Sequence, residues 1–156
     1  MQNYKDNENN IYALESTEFK HLLPTDCIAI TQNEADLISH PPLTLAQSQD
    51  KQIKLIENDY TTAIQKDVDY MGKLFQADMI SQDRLLKCLV ALSGTVPDGF
   101  YWLSSDNSEI IMTFAQLQNL SSLMMSQGWS AFQKMKTLKD KIRSSMDVNS
   151  VSVIIW

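Results

Sequence analysis

The apolar positions of this chain change period several times between its two ends, and each change marks an expected element. Tyr4 to Leu14 reads as a hairpin: Asp6-Asn7-Glu8-Asn9-Asn10 supplies residues that tolerate left-handed backbone, and Ile11-Tyr12-Ala13-Leu14 supplies the returning strand. Asp6, Glu8 and Asn10 also alternate as in a calcium loop, but the central glycine is missing and Thr17 stands where the bidentate Glu belongs. Cys27-Ile28-Ala29-Ile30 is a short apolar strand. Thr31 and Glu34 then form a capping box, and the helix it opens stops at His40-Pro41-Pro42, because a residue before proline leaves the α region.

Past the proline pair the period becomes helical. Thr44 and Gln47 form a second capping box, followed by Ile53, Ile56, Tyr60, Ala63 and Ile64 at spacings of three and four. The stretch from Ala46 to Lys51 is almost wholly polar, so this helix is expected to begin by projecting from the body or packing on nothing. Val68 to Phe75 is strand-like with Gly72 in its middle, which predicts one bent or bulged strand. Ser81 is the expected cap of a third helix, in which Leu85, Leu86, Cys88, Leu89, Val90 and Leu92 occupy most of the circumference, as in a central core helix.

Phe100-Tyr101-Trp102-Leu103 then pairs across a polar turn with Glu109-Ile110-Ile111-Met112, a hairpin rich in aromatic and β-branched cross-strand partners. Thr113 and Gln116 form a third capping box at its exit. From Phe114 to Ser144, Leu117, Leu120, Met124, Gly128, Ala131, Met135, Leu138 and Ile142 keep one phase, which predicts a single helix of about 46 Å. A compact domain of this size is only about 40 Å across. Either the helix bends at Gly128-Trp129, or one end protrudes and packs on something else. Val151 to Trp156 alternates like a strand, which would be a pairing edge if left exposed.

These elements define an α+β chain. Residues 1–42 form a small β-rich head, and residues 43–156 carry helices and a β-hairpin that leads into one long C-terminal helix. The size, 156 residues, and a hydrophobic content of 44% suit a packed core. A net charge of -6 argues against a phosphate-backbone binder, so no nucleic-acid partner is expected. Lys134, Lys136, Lys139, Lys141 and Arg143 cluster, but at a helix C-terminus, where cations suit the dipole. No stretch approaches the roughly 20 apolar residues of a membrane span, and no apolar signal region opens the chain. Cys27 and Cys88 lack the spacing of a metal site or a disulfide framework and read as small buried residues of a reducing compartment.

Candidate chemistry is thin. His21 and His40 stand alone, without a metal-binding spacing, and four glycines leave no material for a phosphate-cradling loop. Asp67 with Asp69 and Asp98 with Asp106 are paired acids, the second pair being the weak case for a glycan-cleaving acid and base. A solvated strand face explains the first pair and turn chemistry the second. No catalytic residue, metal ligand or cofactor is assigned. The remaining signal is a widened apolar face: Met125, Trp129 and Phe132 lie beside the main stripe of the long helix. Together with the terminal Trp156 they are the expected protein-binding residues.

Five segments, taken in order, resemble the DUF4376 family of bacteriophage and prophage tail proteins. They are Phe75-Gln76-Ala77-Asp78, Ser81-Gln82-Asp83-Arg84-Leu85, Phe100-Tyr101-Trp102-Leu103-Ser104-Ser105-Asp106-Asn107, Met112-Thr113-Phe114-Ala115-Gln116-Leu117-Gln118 and Gly128-Trp129-Ser130-Ala131-Phe132. The head, with Tyr4, Asp6, Asn10-Ile11-Tyr12-Ala13, Ile30-Thr31 and Glu34-Ala35, is similar to the start of small phage tail proteins. The resemblance implies a non-enzymatic protein that binds a phage tail fibre or receptor-binding protein, as an assembly chaperone or a small fibre-associated subunit. It implies the bacterial host cytoplasm or the virion tail as location, and self-association into a homo-oligomer is compatible with it. The alternative is an accessory phage protein that binds and inhibits a host factor.

Overall fold

The computed structural model describes all residues, Met1 to Trp156, and the chain divides into two compact units, Met1–Thr44 and Leu45–Trp156. The fold is α+β.

In the first unit, strands β1 (Gln2–Lys5), β2 (Ile11–Leu14) and β3 (Ile28–Ile30) form one antiparallel sheet in the order β2-β1-β3. The β1–β2 turn is held by Asp6. Its carboxylate accepts from the Glu8 and Asn10 backbone N–H groups, both at 2.9 Å, and from the Tyr12 hydroxyl at 3.1 Å, while Asn9 takes the left-handed position at φ 65°. That carboxylate organises a turn, and no group of His, Cys, Asp and Glu anywhere in the chain is arranged to hold a metal. A 3-10 helix, Thr17–Leu22, precedes β3. Helix α1 (Gln32–Ser39) starts at the expected Thr31–Glu34 capping box, with both reciprocal bonds made. Tyr4, Ile30 and Ala35 are the buried apolar residues of this unit.

The second unit holds two successive cores, both built along one helix. Helix α2 (Leu45–Ala63) is followed by β4 (Val68–Tyr70) and β5 (Lys73–Phe75), which pair antiparallel. The single bent strand expected over 68–75 is thus a tight hairpin. Met71 (φ 56°) and Gly72 (φ 72°) both adopt positive φ, as a two-residue turn of the primed type requires. Helix α3 (Met79–Leu92) begins two residues before the expected cap. Asp78, not Ser81, is the N-cap, its carboxylate accepting from the Ile80 and Ser81 N–H groups.

Strands β6 (Tyr101–Leu103) and β7 (Glu109–Ile111) form the second hairpin as expected. The Ser104 N–H donates to the Ser108 carbonyl and the Asn107 N–H to the Ser104 carbonyl, with Asn107 left-handed at φ 64°. This is the three-residue loop with a bulge. Because Ser104 and Ser108 form the closing hydrogen-bonded pair, the next such pair is Trp102 with Ile110. The N–H and C=O groups of Tyr101 and Leu103 therefore point to the opposite edge of β6.

Thr113 and Gln116 make the third capping box, and α4 (Phe114–Ser144) runs unbroken through Gly128. Its first half closes a core of Val68, Phe75, Ala77, Leu85, Met112, Leu117, Leu120 and Met124. Its second half closes another with Ile56 of α2, Ile142 and Val151. The mismatch between helix length and domain width is resolved in this way, with each end of α4 packed in its own core. The C-terminal segment is not a strand: α5 (Val148–Ser152) is a short helix capped by Asp147, Val151 is fully buried, and Ile154 and Trp156 pack against the second core. The helical turn puts Val151 inward while Val153 and Ile155 remain exposed, which a strand reading of the alternation did not anticipate.

The polar start of α2 is also employed, contrary to expectation. The Gln49 side chain donates to the carbonyls of Ile142 (3.1 Å), Arg143 (3.4 Å) and Ser145 (3.1 Å), and Gln52 donates to the Ile154 carbonyl at 2.6 Å. The last carbonyls of a helix have no partner within it. Gln49 supplies one from another helix to Arg143 and Ser145, shares the Ile142 carbonyl with the Ser145 N–H, and so fixes the end of α4 against α2.

Candidate functional site

The position of α4 between two cores leaves its middle to serve both or neither. Leu120, Met124 and Ala131 turn inward, whereas Met125 is 71% exposed, Trp129 59% and Phe132 40%. Met125, Trp129 and Phe132 follow one another at spacings of four and three, hence on one face of the helix. The Trp129 and Phe132 rings stack, with centroids 5.7 Å apart and planes at 22°.

Helix α3 extends this face. It is not the all-round core helix that its composition suggested: Leu85 is buried, but Leu86 is 59% exposed and Val90, one turn on, 71%. The reason is that α3 is covered by α4 and the hairpins on one side only. Leu86 and Met125 line one shallow groove with Gln82, Ser121 and Asp83, whose charge is paired with Lys87, and Leu89, Gln118 and Met125 line its continuation. Sequence reasoning missed Leu86 and Val90. The available signal was the excess of apolar residues on α3 over what a single buried face needs.

The electrostatics agree with the apolar character. From Phe114 to Gln133, α4 carries no charged residue, and its cations begin at Lys134. An exposed helix face without charge is the composition of an interface centre, where charged residues are depleted and Met and aromatics enriched. Trp156, the fourth expected binding residue, does not share this face. It packs on the second core, half-buried, with the Lys134 ammonium 4.7 Å from its ring centroid. Of the other methionines, Met112 and Met124 are buried, Met135 packs on the second core and Met146 is exposed.

Of the acidic pair, Asp106 is held by its own turn and by Lys73. The Asp106 carboxylate accepts from the Ser104 hydroxyl (2.6 Å), the Ser108 N–H (3.0 Å) and Lys73 (3.1 Å). These bonds, that from Ser104 foremost, hold it far below the usual carboxylate range, so it carries no proton to donate near neutrality. Burial raises the thiols of Cys27 and Cys88 above their ordinary value, away from the thiolate form a nucleophile needs. No helix is long and apolar enough to cross a membrane.

A family described as "Domain of unknown function (DUF4376)" matches residues 47–154, nearly the whole second unit. The chain belongs to that family. No curated protein and no solved structure matches it.

Proposed function

We propose that this chain is a non-enzymatic binding protein of a bacteriophage or prophage tail. Its partner is a tail fibre, which it serves as an assembly chaperone or as a small fibre-associated subunit. The observation that carries the binding role is the apolar face of Met125, Trp129 and Phe132 on the uncharged stretch of α4, with Leu86 of α3 beside Met125, all exposed in the single chain. Contiguous exposed apolar surface on a protein with a complete core of its own marks an interaction site. The choice of a fibre as partner rests on the resemblance of five ordered segments to phage tail proteins.

The test is co-expression with a tail-fibre protein from the genome that encodes this chain, followed by size-exclusion chromatography with light scattering. The expected result is a complex of defined mass that is lost in the Met125→Glu/Trp129→Glu variant. Elution of the two proteins apart contradicts the fibre assignment and moves the weight to a host protein as partner. A complex that persists unchanged in the variant contradicts the assignment of this face.

A further inference from the structure

Away from the α3–α4 face, an open cleft of about 360 Å³ lies along β6, between that strand and the first turns of α3. Four consecutive residues, Phe100 to Leu103, line it. Successive side chains of a strand point to opposite faces, so one cleft touches all four only along the strand's edge. That is the edge to which the Tyr101 and Leu103 N–H and C=O groups are directed, and no hydrogen bond within the chain uses them. Natural edge strands are blunted by shortness, lysine, proline or a bulge. Tyr101-Trp102-Leu103 is short, at three residues, but carries no lysine or proline, and β6 pairs with β7 alone.

The opposite wall adds a charge. Arg84 is the sole charged residue lining the cleft, where Gln76, Ser81 and Asn107 are neutral, and its guanidinium makes no ion pair or hydrogen bond in the chain. Nearby carboxylates are engaged elsewhere: Asp83 with Lys87, Asp78 with the start of α3, and Asp106 with Lys73 and its own turn. A guanidinium offers five donors in a fork that matches a carboxylate.

We propose that this cleft binds an extended segment of a partner protein. The segment adds to the free edge of β6 as a further strand and places an Asp or Glu side chain on Arg84. The backbone groups of Tyr101 and Leu103 supply two donors and two acceptors for the incoming strand, and Arg84 selects its acidic residue. Strand addition of this kind draws affinity from the main chain and specificity from the side-chain positions. The site is separate from the α3–α4 face and does not depend on the partner being a fibre.

The test is selection of random octapeptides, displayed with both ends fused so that no terminal carboxylate is free, on the full chain. Enriched sequences are expected to share an acidic residue at one position, and selection on the Arg84→Glu variant is expected to exchange it for Lys or Arg. An enriched peptide, synthesised with blocked ends, should slow amide hydrogen exchange at Tyr101 and Leu103 while leaving Met125 to Phe132 unchanged. Arg84→Ala should weaken that peptide about tenfold or more, the loss of one charge-assisted bond. Leu103→Pro, which removes an edge donor and no ladder bond, should also weaken it while the melting transition is retained. Enrichment without a fixed acid, protection elsewhere, or no enrichment at all would overturn the proposal. So would protection of Tyr101 and Leu103 that rises with protein concentration in the absence of peptide, which marks β6 pairing with a second copy.

Discussion

The rings of Trp129 and Phe132 stack on each other, 5.7 Å between centroids, three residues apart on α4, and both remain exposed. Each ring limits the rotamers of the other, so the pair is ordered before any partner arrives. An anchor ordered in advance loses less side-chain freedom on binding. Beside it, Met125 and Leu86 contribute adaptable apolar contact along the α3–α4 groove.

A first prediction concerns what this face does for the chain itself. Met125→Glu, at a well-exposed position, should change unfolding free energy by no more than about 0.5 kcal/mol, and Trp129→Glu, which gives up the stack on Phe132, by no more than about 1.5 kcal/mol. Urea denaturation of each variant checks this. A larger loss shows that the face serves the fold rather than a partner.

Gln49 makes a claim of the opposite kind. Its side chain reaches the carbonyls of Ile142, Arg143 and Ser145, and only the first has a second donor, the Ser145 N–H. Gln49→Ala should cost about 1–2 kcal/mol, since partly buried acceptors lose their donor. Gln49→Met, similar in length but without a donor, should cost nearly as much. Equal stability of Gln49→Met and the native chain would show that packing rather than hydrogen bonding is responsible.

Two glycines should respond with opposite signs. Gly128 sits inside α4 with helical backbone and open space where a Cβ would be, so Gly128→Ala should stabilise by roughly 0.5–1 kcal/mol. Gly72 has the same open space but φ +72°, so Gly72→Ala should destabilise. Thermal melts of both variants decide it.

Much of the fold was legible because its signals are local. The Thr31–Glu34 and Thr113–Gln116 boxes, the Asn9 and Asn107 turns and the phase of α4 all act within a few residues, and each stands where the sequence places it. The errors arose where several local readings compete or where the partner is remote. Gly72 is compatible with a bulge and with a turn, and it took Met71 adopting positive φ to make the turn. Asp78 outcompeted Ser81 as cap because its carboxylate reaches two N–H groups at once. Val151 fits a strand by alternation, yet its burial depends on Ile56 and Ile142, far off in sequence. The role of Gln49 depends on acceptors more than ninety positions away. The candidate site was legible in part for the same reason. Met125, Trp129 and Phe132 fall off the stripe of α4, whereas the exposure of Leu86 and Val90 follows from how little of α3 the rest of the chain covers.

The carboxylates set the acid limit of stability. Asp6, Glu34, Asp78, Asp106 and Asp147 all lie below their ordinary values of 3.8 for Asp and 4.5 for Glu. The main causes are hydrogen bonds donated by Asn10, Thr31, Ser81, Ser104 and Ser150 respectively. The folded chain then binds fewer protons than the unfolded one in acid, so stability rises with pH through that range. It should be fully present above about pH 5 and decline progressively as the pH falls through the lowered values. Urea midpoints across this range check the sign, and a midpoint that rises on acidification refutes it.

The most direct measurement of the central claim is oxidative footprinting of the full chain, free and after co-expression with the tail fibre proposed as its partner. Free protein should be oxidised at Met125, Trp129 and Met146, all well exposed. In the complex, Met125 and Trp129 should be protected, while Met146, off the α3–α4 face, remains reactive. Unchanged oxidation of Met125 and Trp129 in a stable complex would contradict the assignment of this face as the interface.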